Sequence, residues 1–248
     1  MSESALRIGV IYPSVLGTYG DTGNSLVLKK RAEMRGIDAE IVTVGLSDPI
    51  PEDLDIYTLG GGEDSAQQLA AKKLREHTGF ARAAERGAPI FAVCASLQIL
   101  GEQYTDARGE EVAGLGLLDL VTVPMGKRAI GELLEEPLIE GVTDLLTGFE
   151  NHGGGTILGE DAAPLGRVIH GVGNREEPPG VVKYSGAVQG NIVATYLHGP
   201  ALARNPQLAD LLLGWAVEEQ LEPLVIPQVE ALRAKRIAAL NVVGGVDG

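Results

Sequence analysis

The sequence predicts an α/β fold in which a mostly parallel sheet carries helices on both faces. Apolar runs typical of buried strands alternate with amphipathic segments for most of the chain, which is the pattern of a parallel sheet covered by helices. The 248 residues are 44% hydrophobic, enough to bury a substantial core. No linker, low-complexity tract or internal repeat divides them, so we expect a single domain over residues 1–248.

The first half of the chain supplies most elements of this sheet. Apolar and β-branched runs predict buried strands at 6–12, 39–45, 54–62 and 89–94. Amphipathic spacing predicts helical segments at 25–36, 65–87 and 96–104. The segment 65–87 is long enough for one helix or two.

Beyond about residue 112 the pattern becomes more strand-like and richer in glycine. Helices are predicted at 205–220 and 227–241, and the chain from about residue 242 is expected to be a flexible tail. The strand-like segments of this half are 118–126, 147–158, 165–174, 180–188 and 191–199.

Composition narrows the function classes. The formal net charge is −14 and no basic cluster occurs, which argues against nucleic-acid binding. One cysteine cannot form an internal disulfide, and the start MSESALRIGV has no signal-peptide features. No apolar stretch approaches the length of a membrane span. We therefore expect a cytoplasmic protein.

The single cysteine, Cys94, is a candidate nucleophile. It ends a predicted strand and a helix follows almost at once, which is the arrangement of a nucleophile elbow. The N-terminus of that helix favours the thiolate form of a cysteine. The neighbouring Ala95 and Ser96 are small enough for so tight a turn. An inert buried thiol is the alternative.

A thiol nucleophile needs a base to accept its proton. The sequence contains four histidines, His77, His152, His170 and His198. His77 lies in a charged helical stretch and is interpreted as a surface residue, and His170, which closes a strand-like run, is set aside. His198 ends an apolar run, and strand ends of one parallel sheet meet at the same edge. We therefore predict that His198 is the base for Cys94, with a structural histidine as the alternative.

Three consecutive glycines, Gly60, Gly61 and Gly62, directly follow a predicted strand. Without side chains, their backbone N–H groups can approach a substrate and hold the oxyanion that forms when a carbonyl is attacked. A flexible turn is the alternative. Neither GxxxxGK[ST] nor GxGxxG occurs in the chain, so no nucleotide site of those types is predicted.

Longer motifs resemble one enzyme family. The strand-end cysteine with Gln98 four residues later, together with the late YLHG, resembles class I glutamine amidotransferase domains of the cobyric acid synthase type. Four motifs, spread over residues 19 to 213, resemble the glutaminase subunits of lipid II isoglutaminyl synthases: YGDTGN, GGGEDSAQ, GFENHGGGT and YLHGPALARNPQLADLLL. The resemblance implies a flavodoxin-like class I glutamine amidotransferase fold.

The resemblance also implies an activity and a partner. It implies hydrolysis of L-glutamine, with the ammonia passed to a Mur-ligase-like ATP-dependent synthase subunit in a heterodimer. That partner would amidate the D-glutamate of the lipid II stem peptide to D-isoglutamine, a step in building the cell wall. No cofactor or metal is implied for this subunit, and ATP and Mg²⁺ are expected on the partner.

Residue roles follow from the same resemblance. Cys94 would attack the glutamine carboxamide and form a thioester, and His198 would pass the proton to the departing ammonia. Backbone N–H groups of Gly61 and Ala95 would hold the oxyanion. Ala95 stands where related domains often have a glycine, which makes the turn more strained.

Two further side chains are implied to bind substrate. Arg128 would pair with the α-carboxylate of glutamine, for which a planar guanidinium fork is well suited. Judged only by its position beside Lys127, Arg128 would be a surface charge. Gln98 would brace either the site or the substrate.

The chain departs from the family at the acid that orients the histidine. Many class I amidotransferases have an acid two residues after the histidine, and here that position is Pro200. Glu63 and Asp64 are candidates within the chain, with capping of the next helix as their alternative role. We expect the acid to come from the partner.

Two other function classes remain open at this level. A stand-alone cysteine hydrolase would use the same elbow without glutamine or a partner. A non-catalytic binding module would hold Cys94 as an inert thiol.

Overall fold

The molecule is built on a six-stranded sheet that is parallel except at one edge. The computed structural model describes residues 5–106 and 108–243. In chain order its strands are β1 (Leu6–Ile11), β2 (Ala39–Val44), β3 (Ile56–Leu59), β4 (Ile90–Val93), β5 (Gln103–Thr105), β6 (Glu111–Ala113), β7 (Leu120–Pro137), β8 (Leu146–Leu158), β9 (Gly166–His170), β10 (Tyr184–Ser185), β11 (Ala187–Gln189) and β12 (Ile192–Thr195). The first sheet has the order β11-β12-β4-β3-β1-β2, and only β11 runs antiparallel to its neighbour.

Helices cover both faces of this sheet. They are α1 (Gly23–Met34), α2 (Asp64–Glu76), α3 (Gly79–Glu85), α4 (Ala95–Leu100), α5 (Ala201–Arg204), α6 (Pro206–Val217) and α7 (Pro227–Val243). Strand β4 shows the division, because successive side chains of a strand point to opposite faces. Ile90 and Ala92 belong to the apolar cluster that includes α2, α3 and α4 residues, whereas Phe91 and Val93 belong to the cluster that includes α1, α5 and α6 residues. The predicted fold class is confirmed.

The glycine-rich middle of the chain forms a second sheet, which the sequence pattern alone did not separate from the first. Its order is β10-β9-β7-β5-β6, with the long strand β8 paired antiparallel to β7. The two sheets meet through backbone hydrogen bonds: the His198 N–H donates to the Phe149 carbonyl at 2.9 Å, and the Phe149 N–H donates to the His198 carbonyl at 3.4 Å. This bridge brings β8 alongside the end of β12.

Several predicted boundaries are corrected. The helix expected over 96–104 ends at Leu100, because Gly101 turns to an extended conformation and lies close to Leu120, and residues 103–105 form a strand. The segment 65–87 forms two helices, α2 and α3. Helix α7 continues to Val243, and the rest of the predicted tail, 244–248, lies outside the described residues. That the chain forms one domain stays a prediction.

No helix in the described part of the chain is both long enough and apolar enough to cross a membrane.

A largely buried ion pair fastens α1 to α6, and its loss should be measurable. Arg31 Nε and Nη2 each donate to a carboxylate oxygen of Asp210 at 2.6 Å. We expect Arg31→Ala to lower the free energy of unfolding by about 2 kcal/mol, because removing one partner leaves a poorly solvated charge that Arg35 only partly compensates. Urea unfolding measures this.

The matched control is Lys30→Ala, which breaks a more exposed pair with Glu33 and should cost no more than about 0.5 kcal/mol. Equal losses in both variants would contradict a special contribution from the α1–α6 pair.

Candidate active site

A pocket of about 220 Å³ lies at the carboxyl edge of the first sheet. Strands β1, β3, β4 and β12 are neighbours there, and the carboxyl ends of parallel strands meet at one edge. Each is followed by a segment that supplies part of the site: Asp21, the glycine triplet, Cys94 and His198. The β8 residues Asn151–Gly154 form a further wall.

Cys94 sits on the tight turn that the sequence predicts. Its backbone has φ 54° and ψ −106°, a conformation that a non-glycine residue adopts only when its surroundings impose it. The Cys94 N–H donates to the Thr195 carbonyl at 2.8 Å, and the Ser96 hydroxyl donates to the Gly60 carbonyl at 2.5 Å. These contacts hold the turn, so the thiol lines the pocket at the N-terminus of α4.

His198 is held in one tautomer by a carboxylate. Its Nδ1–H donates to Asp21 Oδ2 at 2.8 Å, and both side chains are almost completely buried. Burial alone would lower the pKa of His198, but the Asp21 hydrogen bond and the adjacent Cys94 sulfur outweigh it and raise that pKa from 6.5 to about 9. The Nε2 atom is buried without a hydrogen-bond partner among the described residues, so it is free for proton transfer.

This geometry corrects the expectation about the orienting acid. The acceptor on His198 is neither Glu63 nor Asp64, which are exposed, and an acid of this chain already occupies the position assigned to the partner. Asp21 was missed because its loop follows β1, 177 residues before His198. The available signal was the YGDTGN motif, which contains Asp21.

Of the two N–H groups predicted to hold the oxyanion, those of Gly61 and Ala95, the structure corrects Gly61. The Gly61 N–H donates to Asp21 Oδ2 at 2.9 Å, so it is not free to meet a substrate. Gly62 lines the pocket, and the described hydrogen bonds include none from its N–H. The Ala95 N–H is the first of α4, one of the first-turn groups that have no partner inside their helix. The structure therefore offers Ala95 and Gly62 as donors.

Gly61 instead provides room. A Cβ atom added there would lie 2.8 Å from His198 Cε1 and 3.4 Å from Cys94 Cβ. Only glycine therefore lets the imidazole and the thiol approach each other across this backbone.

Arg128 and Gln98 both line the pocket but differ in what they offer. Arg128 lies on the irregular segment between Pro124 and Ala129, where its side chain reaches the pocket instead of standing free beside Lys127. The Gln98 amide is engaged at both ends: it accepts from Gln67 Nε2 at 2.8 Å and donates to the Tyr196 hydroxyl at 3.3 Å. Of the two predicted roles for Gln98, the geometry supports bracing the site.

The other histidines do not contact the Cys94–His198 pair through hydrogen bonds. His77 follows the last residue of α2, and His170 ends β9. His152, which sequence reasoning did not single out, is buried and lines the pocket. Its ring stacks on Tyr196 at 3.6 Å, and its Nδ1–H donates to the Gly154 carbonyl at 2.8 Å. These contacts make it a fixed part of the pocket wall.

Among residues 5–106 and 108–243, no group of three or more His, Cys, Asp or Glu side chains is placed to hold a metal ion. The groups that the pocket does bring together are the cysteine, the histidine, the acid that orients it and the backbone donors. Together these can attack a carboxamide carbon and stabilise the resulting oxyanion.

The family model for the CobB/CobQ-like glutamine amidotransferase domain matches residues 7–206. The chain belongs to the CobB/CobQ-like glutamine amidotransferase family. The match covers every residue that lines the pocket, including Cys94 and His198, and it also covers Asp21.

Two curated relatives are similar to this chain along nearly their whole length. Both are named lipid II isoglutaminyl synthase (glutamine-hydrolyzing) subunit GatD. The one from Staphylococcus aureus (strain N315) is 36% identical and the match covers 90% of each chain. The one from Streptococcus pneumoniae (strain ATCC BAA-255 / R6) is 34% identical, over 94% of this chain and 89% of that protein.

The fold of this amidotransferase is also seen in solved structures. A crystal structure titled glutamine amidotransferase superposes with a TM-score of 0.56 at 21% identity, covering 85% of this chain and 98% of that one. At this level of identity the likeness supports the fold.

The Asp21 contact predicts a pH dependence of stability. A histidine whose pKa rises from 6.5 to about 9 on folding stabilises the folded state fully below pH 6.5, and this contribution is lost as pH rises through 9. We expect Asp21→Asn to remove most of a decline of about 3 kcal/mol between pH 6 and 9.5. Urea unfolding across this range, compared with the parent, measures it.

The control is Asp64→Asn, which removes an exposed acid that lines the same pocket. It should keep the decline of the parent. A decline that is unchanged in Asp21→Asn would show that this carboxylate does not set the pKa of His198.

Proposed function

We propose that this subunit hydrolyses L-glutamine to glutamate and ammonia through a Cys94 thioester. One observation carries the proposal: a cysteine on a strained elbow, a histidine and a buried aspartate meet in one pocket of a chain that belongs to a glutamine amidotransferase family. A binding module would not need the Asp21–His198 pair, because that pair serves proton transfer.

In the first half-reaction, the thiol proton of Cys94 resides on His198 Nε2, since the raised pKa of His198 favours the imidazolium, and the Cys94 sulfur attacks the carboxamide carbon of glutamine. The carbonyl oxygen becomes an oxyanion, which the N–H groups of Ala95 and Gly62 hold. The imidazolium then donates its proton to the nitrogen, the C–N bond breaks, and ammonia leaves. Asp21 keeps Nδ1 protonated and stabilises the imidazolium throughout.

In the second half-reaction, His198 Nε2 takes a proton from water, and the hydroxide attacks the thioester carbon. The C–S bond breaks, the proton returns to the sulfur of Cys94, and glutamate leaves. The sum is glutamine plus water giving glutamate plus ammonia. Arg128 would hold the α-carboxylate in both steps through charge-assisted hydrogen bonds.

The acceptor of the ammonia belongs to the same proposal. Both GatD relatives are named as subunits of a lipid II isoglutaminyl synthase and are similar over about 90% of this chain. We infer that this chain likewise feeds a second, Mur-ligase-like subunit, which would bind ATP and Mg²⁺ and amidate D-glutamate to D-isoglutamine in the lipid II stem peptide. The expected place of this reaction is the cytoplasm.

The thioester role of Cys94 is tested by Cys94→Ser. We expect ammonia release from glutamine to fall at least a thousandfold, because a serine hydroxyl is far harder to ionise than a thiol. Ammonia is assayed with glutamine in the isolated chain and with the co-purified synthase subunit, and unfolding curves confirm the fold.

Turnover of other small amides or esters, but not of glutamine, would favour a stand-alone cysteine hydrolase. Equal ammonia release by variant and parent would overturn the assignment of Cys94.

Substrate recognition is tested by Arg128→Ala. We expect KM for glutamine to rise by at least tenfold, since a lost charge-assisted contact is worth about 2 kcal/mol, while kcat changes less. Steady-state ammonia release gives both constants. Lys127→Ala is the neighbouring control and should leave KM within about twofold, whereas an unchanged KM in Arg128→Ala would return Arg128 to a surface role.

A further inference from the structure

Asn151 connects the part of the pocket that would bind substrate to the part that would react. Its Oδ1 accepts from Arg128 Nε at 3.2 Å and from Nη2 at 2.8 Å, and its carbonyl accepts from Nη2 at 3.3 Å. These contacts fix an exposed arginine whose side chain would otherwise sample many rotamers. The same Asn151 carbonyl lies 4.0 Å from Cys94 Sγ.

The other end of the Asn151 amide reaches the histidine through a tyrosine. Its Nδ2 donates to the Tyr19 hydroxyl, and the Tyr19 ring meets the His198 ring edge-on with a centroid distance of 4.9 Å. Tyr19 has φ +59°, an uncommon conformation for a bulky residue that the surroundings must hold in place.

Tyr19 belongs to a short strap, residues 18–21, that is fixed at three points. The Thr18 N–H donates to the Gly61 carbonyl at 3.1 Å, Tyr19 is tied to Asn151, and Asp21 binds His198. Two residues of this strap, Tyr19 and Asp21, thus both contact the imidazole of His198. The Asn151 contact is the one that ties this strap to the second sheet beside Arg128.

We propose that Asn151 and Tyr19 are positioning residues that couple the α-carboxylate end of the substrate to the Cys94–His198 pair. The inference rests on the proposed glutaminase function and deepens it. Asn151 holds the Arg128 fork for the carboxylate and, through Tyr19, steadies the imidazole. The pocket therefore selects amides that carry a free α-carboxylate, and it does so partly in kcat as well as in binding.

Three single variants separate the two halves of this coupling. Asn151→Leu removes both side-chain contacts at similar volume. Asn151→Asp keeps both, because a carboxylate accepts from Arg128 and from the Tyr19 hydroxyl, but it places a negative charge beside the substrate carboxylate. Tyr19→Phe removes only the hydroxyl. The double variant Tyr19→Phe/Asn151→Leu tests whether the two residues act through one contact.

The expected results form a pattern of kcat and KM for glutamine. Tyr19→Phe lowers kcat about fivefold with KM within about twofold. Asn151→Asp raises KM at least tenfold with kcat near that of the parent. Asn151→Leu changes both constants, and the double variant has no lower kcat than Asn151→Leu. Asn151→Leu also reduces the preference for glutamine over 4-aminobutyramide, which is glutamine without its α-carboxylate, by about tenfold.

A second readout does not need turnover. Because Cys94 is the only cysteine of the sequence, its alkylation by iodoacetamide at pH 7 reports how well His198 accepts the thiol proton. We expect Tyr19→Phe and Asn151→Leu to slow alkylation to a similar extent and Asn151→Asp to leave it unchanged. Tyr184→Phe is the matched control, since Tyr184 is exposed to nearly the same degree as Tyr19 (45% against 47%), and it should alter neither readout.

The coupling would be overturned if the kcat of the double variant fell by the product of the two single-variant losses. It would also be overturned if all variants were alkylated at the same rate. If Asn151→Leu does not fold, the contrast between Asn151→Asp and Tyr19→Phe decides alone, and the same losses in both would also overturn it. A parent chain that releases no ammonia, alone or with the synthase subunit, would refute the proposed function instead, and the alkylation rates would still test the strap.

Discussion

One carboxylate oxygen, Oδ2 of Asp21, is the atom on which the arrangement of the site depends. It accepts from His198 Nδ1 and from the Gly61 N–H at the same time. These donors follow different strands, so the oxygen ties together the segments after β1, β3 and β12. Two hydrogen bonds of 2.8 and 2.9 Å to one buried carboxylate are strong because water does not compete for them. The imidazole consequently has both a fixed tautomer and a fixed position.

The second sheet completes what the first sheet begins. In a parallel sheet the carboxyl ends of the strands lie at one edge, but the sheet itself covers only one side of a pocket at that edge. Strand β8 closes the open side with Asn151 and His152, and its glycines Gly153 and Gly154 also line the pocket. Gly154 has no room for a side chain, because a Cβ there would lie 2.6 Å from both Gln98 and Thr122. The glycine-rich pattern of this half of the chain thus reflects close packing as well as turns.

The sequence was sufficient for features that depend on one local pattern. Cys94 and His198 each end an apolar run, and parallel topology brings such positions together without further information. Asp21 has no comparable pattern, since it lies in a loop between β1 and α1 whose path depends on tertiary contacts. The sequence also could not show whether Gly61 or Gly62 donates its N–H to the oxyanion. That depends on which peptide N–H points to Asp21 and which lies at the pocket. Gln98 lies on α4 and lines the pocket, but the direction of its amide is decided by Gln67 and Tyr196, which are distant in sequence.

The bridge between Phe149 and His198 determines which positions can drift during evolution. The bridge uses only backbone atoms, so the identity of the side chain at 149 does not enter its energy directly. Residue 148, by contrast, has no room for a side chain, because a Cβ on Gly148 would lie 2.6 Å from Leu197 Cβ. Descendants of this chain can therefore exchange residue 149 among side chains that suit a strand, while residue 148 stays glycine even if residue 197 becomes smaller, because a Cβ at 148 would also lie 2.8 Å from the backbone Cα of Leu197.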